Sequence, residues 1–365
     1  MAQSKEKADA STCVRIGTMQ DSGRQIERLT FRWLRNVDVA KVLRVGVAAL
    51  LWLGARVPAQ QRVNMNNVME PLKVAASSPV TSLRLIQEGG VTELVLQSSE
   101  GDMRPVLSLA NSENGALVRT LPVAEPRASK WDTTVSPDQA ISFVFSIPES
   151  ASIWLSYRST KPESTTVVTR KYLKGYFGAP HFVKGENNLA ITSVATIDRV
   201  TRPVLFSRMS DGGYGEFRAL PSPGHGDLID ARLLHVGSNY VLFTRVLTGG
   251  DGNREAGILS YSVLDANFRE VKPARVCFNG LPVLAFDVDT DGGRVTVLAT
   301  TPHGYVLTAK GDGAHFDEIP VDGLSSPSIL SSGGNIHIAA LESAGTPKAR
   351  VLVGHARTSD NSFLP

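Results

Sequence analysis

Cysteine is nearly absent from this chain: Cys13 and Cys277 are the only two in 365 residues, so no internal disulfide framework can staple the body. Cys277 sits in Ala-Arg-Val-Cys-Phe, an apolar strand-like stretch, where a buried and inert thiol is expected. Runs of one charge sign are missing too. Ten Lys/Arg face five Asp/Glu before Gln60, and 28 face 30 from Gln60 onward, so the net +3 belongs to the first segment. A near-neutral body without a basic run excludes the electrostatic footprint of a nucleic-acid binder. No apolar run is long enough to span a bilayer either. Arg44 and Arg56 enclose 11 residues, against the roughly 20 a spanning helix needs, so no stable transmembrane anchor is expected.

What stands at the N-terminus resembles an export signal. Arg32, Arg35, Lys41 and Arg44 precede the apolar stretch Val45–Leu53, and Val57-Pro58-Ala59 supplies small residues where a signal peptidase reads. Cleavage near Ala59 and a secreted or periplasmic location are the expectation. Glu6, Asp9, Asp21, Glu27 and Asp38 interrupt the arginine pattern and disfavour a mitochondrial presequence. The long stretch before the signal leaves Met19 as a candidate start, and the absence of Asn-x-Ser/Thr from the body favours a bacterial origin.

Common chemical motifs are also scarce. His181, His225, His235, His303, His315, His337 and His355 show no pair at ligand spacing, so no zinc-type cluster is expected. There is no Gly-x-Ser-x-Gly elbow and no phosphate-binding loop, since Gly249-Gly-Asp-Gly252 opens no helix. No cofactor is expected. Asp287-Val-Asp289-Thr-Asp291-Gly begins like a calcium loop, but Val295 and Leu298 occupy the late ligand positions, and a hairpin turn explains the segment without metal.

The body is dominated by a repeat. One phrase, an aliphatic strand entering a polar turn, recurs at Val106, Ile153, Val204, Ile258, Val306 and Val351, with spacings of 47, 51, 54, 48 and 45 residues. A second phrase is a hairpin with turns at Gly89-Gly90, Pro137-Asp138, Gly185–Asn188, Gly237–Asn239, Asp291–Gly293 and Gly333–Asn335. A third closes several units with a short outer strand, as in Phe217-Arg-Ala-Leu-Pro and Phe316-Asp-Glu-Ile-Pro. Two hairpins per period make a four-stranded blade, and the fold expected is all-β: a six-bladed β-propeller with four-stranded blades, its ring closed by an N-terminal strand. The expected organisation is a leader over 1–59, a linker and closing strand over 60–80, and one propeller over 81–365. Its blades fall at about 82–122, 131–172, 178–222, 229–274, 281–321 and 327–365. The spare segment 67–74 is assigned to the sixth blade, where it removes an open edge.

Met209-Ser-Asp-Gly-Gly-Tyr-Gly-Glu-Phe217 resembles the Asp-box of sialidase-like propellers, with Asp211 and Gly213 at the matching positions. Lys310–Phe316 and Thr358–Phe363 are degenerate copies in the same place in their repeats. The resemblance implies a folding element in which the Asp accepts backbone hydrogen bonds, on the face away from the active site. It also implies an arginine triad, a Tyr nucleophile with a Glu partner, and an Asp acid. The family's Phe/Tyr-Arg-Ile-Pro opening is missing here, and Arg84 stands at roughly its place.

Propellers bind at the concave channel mouth, between loops leaving the second strands and loops joining blades. The loops expected there hold Arg104, Arg127, Lys130, Trp131 and Asp132; Tyr176 and Phe177; Asp198, Arg199 and Arg202; His225, Asp227 and Asp230; Asp251, Arg254 and Glu255; and His303 with Tyr305. Aromatic rings beside Arg, Asp and His suit a sugar, and the long 246–255 loop adds to the mouth. Three functions fit: a non-catalytic glycan- or protein-binding module as the first reading, a sialidase-type glycoside hydrolase as the alternative, and a scaffold subunit of a cell-envelope complex.

Overall fold

The structure is a computed structural model that describes residues 63–64 and 69–357, with short breaks inside the longer span. The leader and its proposed cleavage at Ala59 lie outside the described residues. No helix among the described residues is long and apolar enough to cross a membrane.

Turn chemistry decides the local structure. Each hairpin turn foreseen from Gly, Asn, Asp or Pro joins the first and second strands of one sheet, and the recurring aliphatic phrase is the third strand each time. The first sheet runs over Val80–Leu121, the second over Lys130–Val167 and the third over Gly175–Ala219. The fourth spans Leu228–Val276 and the fifth Ala285–Asp322. The sixth holds Ser325–Ser332, Asn335–Glu342 and Arg350–Arg357. Its outer strand comes from the N-terminal side: Met69–Leu72 pairs antiparallel with the last strand, Met69 opposite Gly354 and Leu72 opposite Val351. Val63–Asn64 adds a parallel edge to the fifth sheet, opposite Val321 and Asp322.

First strands of consecutive sheets lie against one another in cyclic order, and Ser325–Ser332 returns to Val80–Glu88. The fold is therefore a β-propeller, with first strands around the axis. Its apolar core is divided among the gaps between adjacent sheets. Phe143, Phe145 and Trp131 of the second sheet pack against Val95 and Leu107 of the first. Phe243 and Tyr261 of the fourth pack against Phe286 and Val297 of the fifth. Cys277 is buried in that last cluster, as its apolar context required.

Two local features place the residues of the channel. The first strand of the third sheet is split into Gly175–Phe177 and His181–Phe182, because Pro180 has no N–H to donate to the ladder. The resumed segment points His181 into the ring. Gly185 then turns the chain at φ +77, where a Cβ would meet the His235 carbonyl oxygen at 2.4 Å. That turn holds Lys184 beside Leu234 of the next sheet.

Candidate functional site

Where the first strands begin, a cavity of about 620 Å³ opens at the channel mouth. Among the described residues, four basic side chains line it (Arg84, Lys130, Arg232 and Arg245), with His181 and a single carboxylate, Asp230. Trp131 and Phe286 form its apolar walls.

The charged groups are organised by pairs that bridge sheets. Arg84 Nε donates to Asp132 Oδ1 at 3.2 Å and its guanidinium stands 5.7 Å from the centroid of the Trp131 ring. The other Asp132 oxygen accepts the Phe182 backbone N–H at 2.9 Å. His181 lies between two carboxylates: Nε2 is 2.9 Å from Asp230 Oδ1, and Nδ1 is 3.8 Å from Asp132 Oδ2. Arg232 bonds to Asp287 and stands over the Phe286 ring at 5.0 Å. Arg245 donates to the carbonyls of Val283 and Leu284, which fixes the connection between the fourth and fifth sheets. Among the described residues of the lining, Arg232 Nε is a buried donor without a hydrogen-bond partner, while His181 Nδ1, whose proton depends on the tautomer, faces Asp132 Oδ2 beyond hydrogen-bond distance.

Electrostatics follows from this geometry. Burial alone would raise the Asp132 and Asp230 carboxyls. For Asp132 the facing His181, Arg84 and Lys184 outweigh burial, and for Asp230 His181, Arg232 and Arg245 do so; both are held well below the usual carboxylate range. Asp289, deeper along the fifth sheet's first strand, goes the other way. Burial pushes it up to about 6, against the opposing charge of Lys184. Lys184 itself is raised, since Asp289, Asp132 and Asp287 overcome the effect of its burial.

The alternating aspartates that begin like a calcium loop have a different use. Asp287 Oδ2 accepts the Ile329 N–H at 2.9 Å, Asp289 Oδ2 that of Ser331 at 2.6 Å, and Asp291 Oδ2 that of Gly334 at 2.6 Å. At spacing two in a strand the carboxylates share one face. They stitch the fifth sheet to the backbone of the sixth. No group of three or more His, Cys, Asp or Glu side chains is placed to hold a metal ion among the described residues.

Of the residues expected at the mouth, the structure brings Lys130, Trp131, Asp132 and Asp230 together. Trp131 is not the exposed stacking platform expected of it: its indole is buried and Nε1 donates to Ser82 Oγ at 2.8 Å and Gln97 Oε1 at 2.6 Å. Asp132 likewise lies behind the wall rather than on a loop. Arg127, Tyr176, Arg202 and Asp227 are exposed and do not line the cavity. His225, Arg254, His303 and most of the 246–255 loop lie outside the described residues; Tyr305 opens the third strand of the fifth sheet, opposite Asp322. His181, Lys184, Arg232 and Arg245 were missed as a site. Their partners sit about one repeat away, so the repeat period was the one signal that could have aligned them.

The comparisons give the fold a context. No family model and no curated protein sequence matches the chain. Among solved structures, an α-L-arabinanase of Penicillium chrysogenum complexed with arabinobiose superposes with a TM-score of 0.61 at 9% identity, over 80% of this chain and 98% of that one. The α-L-arabinofuranosidase Arb93A from Fusarium graminearum, in complex with an iminosugar inhibitor, gives 0.56 at 10% identity over 80% and 97%. AofleA from Arthrobotrys oligospora gives 0.50 at 10% over 82% and 91%. These likenesses support a propeller and do not support a sialidase-like Asp-box family. The segment that carried that resemblance is an exposed turn in which Asp211 Oδ1 accepts the Gly213 N–H at 2.8 Å, chemistry that any Asp-Gly turn can use. The Asp-box turn at Asp312 and the copy at Thr358–Phe363 lie outside the described residues.

Proposed function

We propose that this chain is a carbohydrate-directed propeller that works at the channel-mouth cavity as a glycoside hydrolase, on a saccharide that carries a carboxylate. The observation that carries the site is the lining itself: four basic side chains and, among the described residues, one carboxylate around about 620 Å³, with the buried Arg232 Nε still unpartnered. The carboxylates behind the wall are already bonded, so a further anion is what the Arg232 guanidinium and the exposed Lys130 can take. The hydrolytic part rests on likeness of fold to an arabinanase and an arabinofuranosidase across nearly their whole chains.

In this reading Asp230, held ionised by His181, serves as base or nucleophile, and Arg84, Lys130 and Arg232 hold the substrate. Glycosidases use a pair of carboxyl groups, and only Asp230 lines the cavity among the described residues. That observation favours the second reading, a glycan-binding module without turnover. The proposal extends to finer architecture and location: each of the six sheets is one blade of the ring, and the chain is exported with cleavage near Ala59.

Both readings are tested by incubating the full chain with arabino- and uronate-containing oligosaccharides while following reducing ends and binding in parallel. Hydrolysis predicts turnover that Asp230→Asn abolishes while binding survives. Binding without turnover selects the second reading, and neither binding nor turnover overturns both.

A further inference from the structure

Far from the cavity, two histidines 18 residues apart in sequence become neighbours. His337 lies on the second strand of the sixth sheet and His355 on the third, directly opposite each other in an antiparallel register. No ligand spacing announces such a pair, because a sheet sets the contact by register and not by sequence separation. Their rings stand at 89° with centroids 4.8 Å apart, and the two Nδ1 atoms are 2.9 Å from one another. His355 is exposed and His337 half-buried. Among the described residues, the closing strand comes as near as Met69, which pairs with Gly354, one residue before His355. Glu113, from the turn after the third strand of the first sheet, adds a carboxylate whose charge reaches His337.

We propose that His337 and His355 form a two-imidazole site for a divalent transition metal, with Cu(II) and Ni(II) preferred over Zn(II), and with water completing the shell. Two ligands at 90° with bonds of about 2.0–2.1 Å lie about 2.9 Å apart, which is the separation already present; tetrahedral geometry needs about 3.3 Å. Square-planar and tetragonal sites of nitrogen and oxygen suit Cu(II) and Ni(II). Binding costs no net proton from the neutral pair. One ring donates its Nδ1–H to the other, and on metal binding it shifts to the Nε2–H tautomer, leaving both Nδ1 lone pairs for the ion. The strands that carry the rings are held by a full ladder, so the ligands are preorganised.

The test uses the full chain without an affinity tag. One equivalent of Cu(II) is added, and paramagnetic resonance counts the nitrogens bound; Ni(II), Zn(II) and Mg(II) are compared by thermal melting. The expected spectrum shows two imidazole nitrogens, Ni(II) raises the melting temperature more than Zn(II), and Mg(II) has no effect. Either His337→Gln or His355→Gln weakens binding by more than the roughly 10–100-fold that losing an outer-shell partner costs, while metal-free melting stays unchanged. A Cu(II) signal that survives both single variants, or a wild-type chain with no such signal, overturns the proposal. Should His337→Gln unfold the chain, His355→Gln and His355→Asn decide the outcome, because that ring is exposed.

Discussion

Asp211 and Asp289 both sit in Asp-Gly-rich segments that look chemical in the sequence, yet the structure treats them in opposite ways. Asp211 lies in an exposed turn with one backbone N–H as partner. Asp289 lies in a strand, is 5% exposed, and with Asp287 and Asp291 ties one sheet to the next. The difference is one of periodicity. Alternate residues of a strand share a face, so three carboxylates can converge on one neighbouring backbone, while a turn disperses its side chains. A carboxylate facing the propeller axis is therefore structural and electrostatic at once, and one in an outer turn is only local.

The largest effect should come from Asp287→Ala, which strands the buried Arg232 guanidinium and removes the acceptor of Ile329 N–H. We expect a loss of about 3–5 kcal/mol, read from chemical denaturation; a loss under about 1 kcal/mol would erase the distinction between axial and outer carboxylates. Gly185→Ala ranks next. At φ +77 with the His235 carbonyl 2.4 Å from the added methyl, it should cost more than about 1 kcal/mol and loosen Lys184 from the axial carboxylates.

A pH series sharpens the comparison further. Asp289 is raised from 3.8 to about 6 in the folded state, so the folded chain binds the proton more tightly than the unfolded one. Its contribution therefore grows as pH falls from about 6 toward 4. Asp132 and Asp230 are lowered, so their contribution is full above about 4 and is lost as acid protonates them. Stability should hold or rise slightly from pH 7 to 5 and collapse below 4, and Asp289→Asn should remove the upper part of that profile while leaving the collapse. Asp211→Ala should do least, no more than about 1 kcal/mol in chemical denaturation.

Much of the frame could be read before any coordinates. Gly, Asn and Pro punctuate each first hairpin, and the aliphatic phrases mark third strands, because turns and alternation are local properties of the chain. The segment 67–74 was open to the same reading, and its Met69–Leu72 supplies the outer strand of the sixth sheet. The candidate site was far less legible. His181 meets Asp132 and Asp230, each 49 residues from it in sequence, and Arg232 meets Asp287, 55 residues on. Such pairs depend on how far each sheet turns about the axis. Trp131 was visible as an aromatic beside charge, but whether its ring faced solvent or the core was set by one step of register. His337 and His355 were hidden for the same reason.

The central claim, that the channel mouth takes a carboxylate-bearing saccharide, is tested most directly by calorimetric titration of the full chain with an oligogalacturonate and with its methyl ester, which keeps the sugar and removes the charge. The acid should bind, the ester should bind at least about tenfold more weakly, and Lys130→Ala should narrow that gap, since the lost charge contributes on the order of 1.4 kcal/mol. Equal affinity for acid and ester, or no binding of either, would contradict it.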